Sequence, residues 1–210
     1  MSNIIALAQP RKLSPTQVNG KVCPPIRRAS TNPRKYLTPG EVEKLRRAAS
    51  GGRYGQRDST LVLLAFRHGL RVAELVALEW SAVDLTDGNL HVKRKKHGSE
   101  SVHPLHGVEL RALRELRRAH PESRWLFVSE RDDKPMTTSN VRKILTRLGI
   151  AAKIGFPVHP HQLRHATGFA LANKGVDTRS LAAYLGHRSL ESTRLYTDTA
   201  PNRFKDFFRD

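Results

Sequence analysis

From Tyr36 onward, apolar positions recur at spacings of three and four residues, with one interruption. Thr38-Pro39-Gly40-Glu41 fits a capping box, with Thr38 at the cap and Glu41 reaching back to it. The helix it opens runs to about Ala49 and stops at Ser50-Gly51-Gly52. A second helix, from about Gln56 to His68, carries the apolar block Leu61 to Phe66 and is broken by Gly69. A third runs from Arg71 to about Trp80, with Val72, Leu75, Val76 and Leu78 turned inward. The period then drops to two. AVDL, a turn at Thr86 to Gly88, NLHVKRK, a second turn near His97-Gly98, and SESVHPL predict a small antiparallel sheet over residues 82 to 105.

Helical spacing returns from about Val108 to Ala119, followed by a short buried strand, WLFVS, from Trp125 to Ser129. Thr138 or Ser139 caps the next helix, which ends near Ile154. Three more helices fill His159 to Tyr196, with Gly175 and Gly186 placed to end the first two and Phe169, Leu171, Leu181, Ala182 and Leu185 as core. Pro201 opens a last helix, PNRFKDFFRD, with Phe204, Phe207 and Phe208 on one side. The pattern predicts an α+β fold, mainly helical, over residues 36 to 200. Residues 1 to 35, rich in Pro, Asn, Ser, Arg and Lys without sustained periodicity, read as a basic, disordered arm.

Charge narrows the choice of partner. Thirty-seven Lys and Arg stand against 19 Asp and Glu, for a formal net charge of +18. Such an imbalance destabilises a compact chain by self-repulsion unless a polyanion neutralises it. Nucleic acid does so with release of its counterions. The single cysteine, Cys23, excludes an internal disulfide framework and a Cys-based zinc site. No run approaches the length of a membrane-spanning helix, and the opening MSNIIALAQPRK lacks basic residues ahead of its apolar patch, so a cytoplasmic protein is expected.

Candidate chemistry gathers in the three helices after His159. His161 and Arg164 are three residues apart and share a helix face; Gly186-His187 follows, and Tyr196 comes nine residues after His187. A cation, two imidazoles and a phenol on a packed scaffold suit an anionic substrate attacked by a tyrosine. Blander readings stand beside each residue. Arg71 could pair with Glu74 or Glu79, His187 could sit at a helix end, and Tyr196 could be a core aromatic. His161 could bind zinc with His165 and His159, although no acidic or cysteine partner has metal spacing. In the basic hairpin, strand alternation puts Lys93 and Lys95 on one face and Arg94 and Lys96 on the other.

HGLRVAELVALEW, HPHQLRHATG, YLGHRS and Tyr196, in this order and spacing, resemble the boxes of the tyrosine recombinase (phage integrase) family. The resemblance runs from about Tyr36 to Tyr196 and is greatest to the short fimbrial phase-switching recombinases of bacteria. It implies a site-specific DNA recombinase that cleaves and rejoins DNA through a 3′-phosphotyrosyl intermediate, with no metal, ATP or other cofactor. By the same resemblance Tyr196 is the nucleophile and Arg71 and Arg164 clamp the non-bridging phosphate oxygens. His187 donates to the same phosphate, His161 accepts the tyrosine proton and Lys96 protonates the departing 5′ oxygen. Glu74 supports Arg71, while Lys93, Arg94, Lys95 and Arg188 contact DNA.

The implied partners are double-stranded DNA, a homo-oligomer (a tetramer) on paired sites and accessory DNA-bending proteins at the bacterial nucleoid, with no membrane. Two departures stand out. VKRKKHGSESVHPL replaces the Gly-Lys-Gly style turn of most relatives, so that Lys96 is chosen by counting back from Pro104 to a Lys-x-Gly. Only about 35 residues precede the catalytic domain here, where most relatives carry a core-binding domain. Residues 201 to 210 are then a candidate for docking onto a neighbouring protomer. A type IB topoisomerase, a DNA-binding regulator with little catalysis and a metal-dependent nuclease are the competing readings.

Overall fold

The computed structural model describes residues 17–18, 21–22, 36–94, 100–129 and 134–198, and the chain divides into compact units of residues 1–33 and 34–210. In the first unit, β1 (Gln17–Val18) pairs antiparallel with β2 (Lys21–Val22), within a stretch where the sequence predicted no regular structure. The rest of that predicted arm, and the predicted helix over residues 201–210, lie outside the described residues.

In the second unit, Thr38 caps α1 (Pro39–Ser50) reciprocally. The Glu41 amide donates to Thr38 Oγ1 at 3.3 Å, and the Thr38 amide donates to Glu41 Oε2 at 2.8 Å. Val42, Leu45 and Ala49 form the buried stripe of α1 and pack on α2 (Gly55–Arg67). That helix is buried nearly all round from Leu61 to Ala65 and is the axis of the core. α4 (Gly107–Ala119) and α6 (Pro160–Asn173) both pack against it.

The third predicted helix is much shorter than its apolar spacing suggested. α3 covers Val72–Leu75, and a 3-10 turn follows at Trp80–Ala82. Pairing with a distant segment takes the intervening backbone. The Leu126 amide donates to Leu78 O at 3.0 Å and the Trp80 amide donates to Arg124 O at 3.0 Å. The same pairing corrects the WLFVS strand. Leu126, Phe127 and Val128 are buried as expected, but they make only the isolated bridges Glu79 to Trp125 and Val128 to Pro135. The antiparallel sheet forms as predicted, in the order β3 (Val83–Asp84), β4 (Asn89–Val92), β5 (Ser101–Pro104). Its first turn is closed by Asp84 Oδ1, which accepts from the Thr86 and Asp87 amides.

α5 (Thr138–Ala151) is capped one residue earlier than expected, by Thr137, whose hydroxyl accepts from the Asn140 amide. α7 (Thr178–Leu185) and α8 (Glu191–Asp198) complete the unit. Leu181, Leu185, Ala172 and Tyr196 form a second apolar cluster where α6, α7 and α8 meet, with Phe169 and Leu171 packed against it. Among the described residues no helix is long and apolar enough to cross a membrane.

Candidate active site

Arg71 stands at the N-cap of α3, just after the Gly69 break, so its side chain leaves the end of the core helix α2 without being enclosed by it. Glu74 fixes it there. One Glu74 oxygen accepts from Arg71 Nη1 at 2.8 Å and the other accepts from the Arg71 amide at 2.9 Å. The Glu74 side chain is 1% exposed, against 35% for Arg71. Burial alone would raise the Glu74 carboxyl. The Arg71 amide and guanidinium, together with the Arg94 charge, outweigh it and hold the group below its ordinary range, as a carboxylate.

Arg94 corrects an expectation. It was assigned to DNA, yet its side chain is 0% exposed and its Nη1 donates to Glu74 Oε2 at 2.9 Å. Its Nη2 donates to Tyr184 O and, at 3.5 Å, to His68 O. Leu90, Val92 and Arg94 share one strand parity and all three are buried. The alternation therefore continues inward, and the arginine's charge is matched by Glu74 instead of phosphate.

Arg164, on α6, arrives from the opposite side. Its Nη1 donates to Gly69 O at 2.6 Å and its Nη2 donates to Leu185 O at 2.7 Å, so one guanidinium ties the α2 exit to the end of α7. Arg71 Nη2 reaches the next carbonyl, Gly186 O, at 3.3 Å. Two arginines from remote parts of the chain thus converge on the turn Leu185-Gly186-His187. Gly186 is required there twice over. Its φ of +63° is a left-handed helix cap, and a Cβ on it would lie 2.7 Å from Arg94 Cγ. Burial, followed by the charges of Arg71 and Arg94, lowers Arg164 to about 10, which still leaves it charged at neutral pH.

His187 follows directly. Its Nδ1 lies 2.7 Å from the buried Thr193 hydroxyl. Burial and the charges of Arg164, Arg71 and Arg94 hold it down to about 4, so it is neutral at pH 7. In the tautomer in which Nδ1 accepts from Thr193, Nε2 carries the proton and is a donor beside two guanidinium groups.

Tyr196, on α8, is 2% exposed and its ring packs onto α6. A Cβ at Gly168 would stand 2.8 Å from three atoms of that ring, so only glycine leaves it room. Phe169 meets the ring edge-on at 5.1 Å and His187 lies 6.2 Å away. The hydroxyl lies 2.9 Å from His165 Nδ1. Burial raises the phenol above its ordinary range, opposed by the positive charge of Arg164.

The structure therefore brings together Arg71, Glu74, Arg164, His187 and Tyr196. His161 is exposed in the first turn of α6, and Lys93 and Arg188 are exposed. Lys95 and Lys96 lie outside the described residues. Among the described residues, no group of three or more His, Cys, Asp or Glu side chains is arranged to hold a metal. Sequence reading missed the inward Arg94 and the contact between His165 and Tyr196. It also missed a buried polar chain behind the site. His68 Nε2 stands 2.8 Å from Glu109 Oε1, His68 Nδ1 stands 3.2 Å from His103 Nδ1, and the Ser101 hydroxyl stands 2.9 Å from His103 Nε2. Strand parity could have found Arg94. The chain of histidines has no local signal, because its members are 35 residues or more apart along the main links.

Comparison with known proteins identifies the family and the fold. The model of the phage integrase family matches residues 35–203. The type 1 fimbriae regulatory protein FimB of Escherichia coli K12 is 38% identical over 182 residues, which cover 84% of this chain and 90% of FimB. The tyrosine recombinase XerA of Pyrococcus furiosus is 34% identical over 82% of this chain and 60% of its own length. A crystal structure of XerA recombinase superposes with a TM-score of 0.71 at 28% identity, covering 82% of this chain and 63% of that one. A post-cleavage complex of XerH recombinase with palindromic difH DNA shares the fold, with a TM-score of 0.68 at 23% identity over 82% of this chain and 52% of that one. The family match over residues 35–203 and the identity to FimB along nine-tenths of its length place the chain in the phage integrase family, as a tyrosine site-specific recombinase that breaks and rejoins DNA.

Proposed function

We propose that Tyr196 attacks the scissile phosphodiester while Arg71, Arg164 and His187 hold its non-bridging oxygens. The observation that carries this is the convergence of both arginines on the carbonyls of Leu185 and Gly186, directly before His187. Negative charge grows on the non-bridging oxygens in the pentacoordinate state, and fixed guanidinium and imidazole donors stabilise it without reorganising. Glu74 acts by orienting Arg71. Lys96, in the connection between β4 and β5, is the proposed proton donor to the 5′ oxygen. Lys93, Lys95 and Arg188 contact the DNA backbone.

The reaction is strand exchange between paired sites on double-stranded DNA, carried out in the cytoplasm by a homo-oligomer, a tetramer, aided by DNA-bending proteins. The resemblance to the short fimbrial phase-switching recombinases, with the match along nine-tenths of a fimbriae regulatory protein, supports inversion of a DNA segment as its outcome. The test is covalent capture on nicked duplexes with randomised half-sites, in chelator. The expected result is a 3′-linked adduct from the wild type and none from Tyr196→Phe. An adduct that persists in Tyr196→Phe would assign the nucleophile to another residue.

A further inference from the structure

We propose that His103 and Tyr184 are positioning residues for the recombination reaction, their stacked rings aiming the guanidinium of Arg71. This rests on the reading of Arg71 as a phosphate clamp and adds what holds the clamp in place.

Three consecutive carbonyls close α7, and each accepts from a different arginine. Tyr184 O accepts from Arg94 Nη2, Leu185 O from Arg164 Nη2 at 2.7 Å, and Gly186 O from Arg71 Nη2 at 3.3 Å. The last carbonyls of a helix lack partners within it and form its negative end, so cations seat there. Where the end of α7 lies therefore decides where the arginines point. Tyr184 ties this end to the rest of the unit. Its hydroxyl donates to Arg67 O at 2.9 Å, and its ring lies on that of His103 with centroids 4.0 Å apart and planes inclined by 21°. Burial pushes the phenol up to about 12, so the hydroxyl keeps its proton and remains a donor.

His103 stands at an inward position of β5, opposite Leu90 of β4. An apolar side chain would fill such a position, as Leu90, Val92 and Leu105 do nearby. A planar ring does more. Its face carries Tyr184, its Nδ1 stands 3.2 Å from His68 Nδ1, and its Nε2 stands 2.9 Å from the Ser101 hydroxyl. Edge and face are both fixed. Burial, then the charges of His68 and Arg94, holds His103 down to about 3, so the ring is neutral at pH 7. His68 and Tyr184, which meet this ring at edge and face, turn their backbone carbonyls to one group. Both accept from Arg94 Nη2, His68 O at 3.5 Å. The ring thus sets the separation of the two carbonyls and with it the seat of Arg94. Arg94 Nη1 donates to Glu74 Oε2 at 2.9 Å, and Glu74 Oε1 accepts from Arg71 Nη1 at 2.8 Å. Arg71 is held by Glu74 and by Gly186 O, and the stack of His103 on Tyr184 stands behind both.

The experiment uses the full chain and the nicked duplexes enriched by wild-type capture. Single-turnover adduct formation at saturating DNA and neutral pH is measured beside DNA affinity and the urea unfolding midpoint. His103→Leu keeps an apolar filler and removes the stack, whereas His103→Phe keeps a ring and removes both nitrogens. The expected result for His103→Leu is a saturating rate about 100-fold below wild type with affinity within about twofold, because a misplaced clamp costs chemistry and not binding. His103→Phe recovers at least about tenfold of that loss by restoring the orientation. In an Arg71→Lys background, His103→Leu slows the reaction by less than about threefold, since two changes that act through one guanidinium do not add. A purely structural role moves the unfolding midpoint and leaves this coupling at zero.

The proposal is overturned if His103→Leu reacts as fast as wild type, if its loss is the same in both backgrounds, or if the loss lies in DNA affinity. It is also overturned if His103→Phe is as slow as His103→Leu, which would give the effect to the nitrogens instead of the stack. If His103→Leu fails to fold by circular dichroism, Tyr184→Leu removes the stack from its other side and carries the same expectations, with Tyr184→Phe as the variant that keeps the ring. Failure of wild type to form any adduct would remove the nucleophile, and an Arg71→Lys chain as fast as wild type would remove the clamp. Both differ from a working clamp that is indifferent to His103.

Discussion

Arg94 Nη1 stands 2.9 Å from Glu74 Oε2, and neither side chain has more than 1% of its surface exposed. Glu74 shares its other oxygen with Arg71, so a buried ion pair positions a half-exposed guanidinium. Removing one partner leaves an uncompensated charge in the interior. Arg94→Ala and Glu74→Ala should each destabilise the fold by about 3–5 kcal/mol, read as a shift in the denaturant midpoint. Arg94→Lys should recover little of the loss, because one ammonium cannot span Glu74 and the carbonyls of Tyr184 and His68. If Arg94 contacted DNA instead, its removal would weaken binding and leave unfolding unchanged.

Lys93 and Arg188 are exposed and behave differently. Alanine at either position should change unfolding by less than about 0.5 kcal/mol. Each should also reduce the slope of log affinity against log salt by about 1, measured by fluorescence anisotropy on duplex DNA. Unchanged slopes for both would move the DNA face elsewhere.

Gly168 admits the Tyr196 ring. Gly168→Ala puts a methyl 2.8 Å from that ring and should cost about 1–3 kcal/mol of stability as α8 is pushed from α6. Adduct formation should fall by more than the stability loss explains, since the hydroxyl is displaced. Gly155→Ala, where nothing lies within 4 Å of the new methyl, is the control and should match wild type in both assays.

Acid should weaken the fold through two buried histidines. Burial, then the charges of His68 and Arg94, hold His103 down to about 3, and burial with the arginine cluster holds His187 down to about 4. The unfolded chain, with histidines near 6.5, then binds protons that the folded chain refuses. Stability from these groups is complete above about pH 6.5 and is lost as the pH falls toward their folded values. The loss between pH 6.5 and 4.5 should be on the order of 4 kcal/mol, about 2 from each histidine, measured by urea denaturation. His103→Gln should flatten that decline. An equally steep decline in the variant would shift the cause to other groups.

Much of this protein is legible one stretch at a time. The Thr38 cap, the apolar block of α2, the alternation of the sheet and the left-handed Gly186 depend on neighbours within a few residues. Local sequence states these directly. The spacing of Arg71, Arg164, His187 and Tyr196 points to the chemistry for the same reason: each sits at the start, face or end of a predictable element. The failures share another cause. α3 stops at Leu75 because backbone groups at Leu78 and Trp80 pair with residues 124–126. Arg94 turns inward because Glu74, twenty residues earlier, is there to receive its charge. His165 reaches the tyrosine because the packing of α8 on α6 chooses between two histidines on one helix face. The sequence by itself determined which elements form and which chemical groups they carry. Only the tertiary structure decided which groups meet, because burial and charge pairing are settled between segments that no local pattern connects.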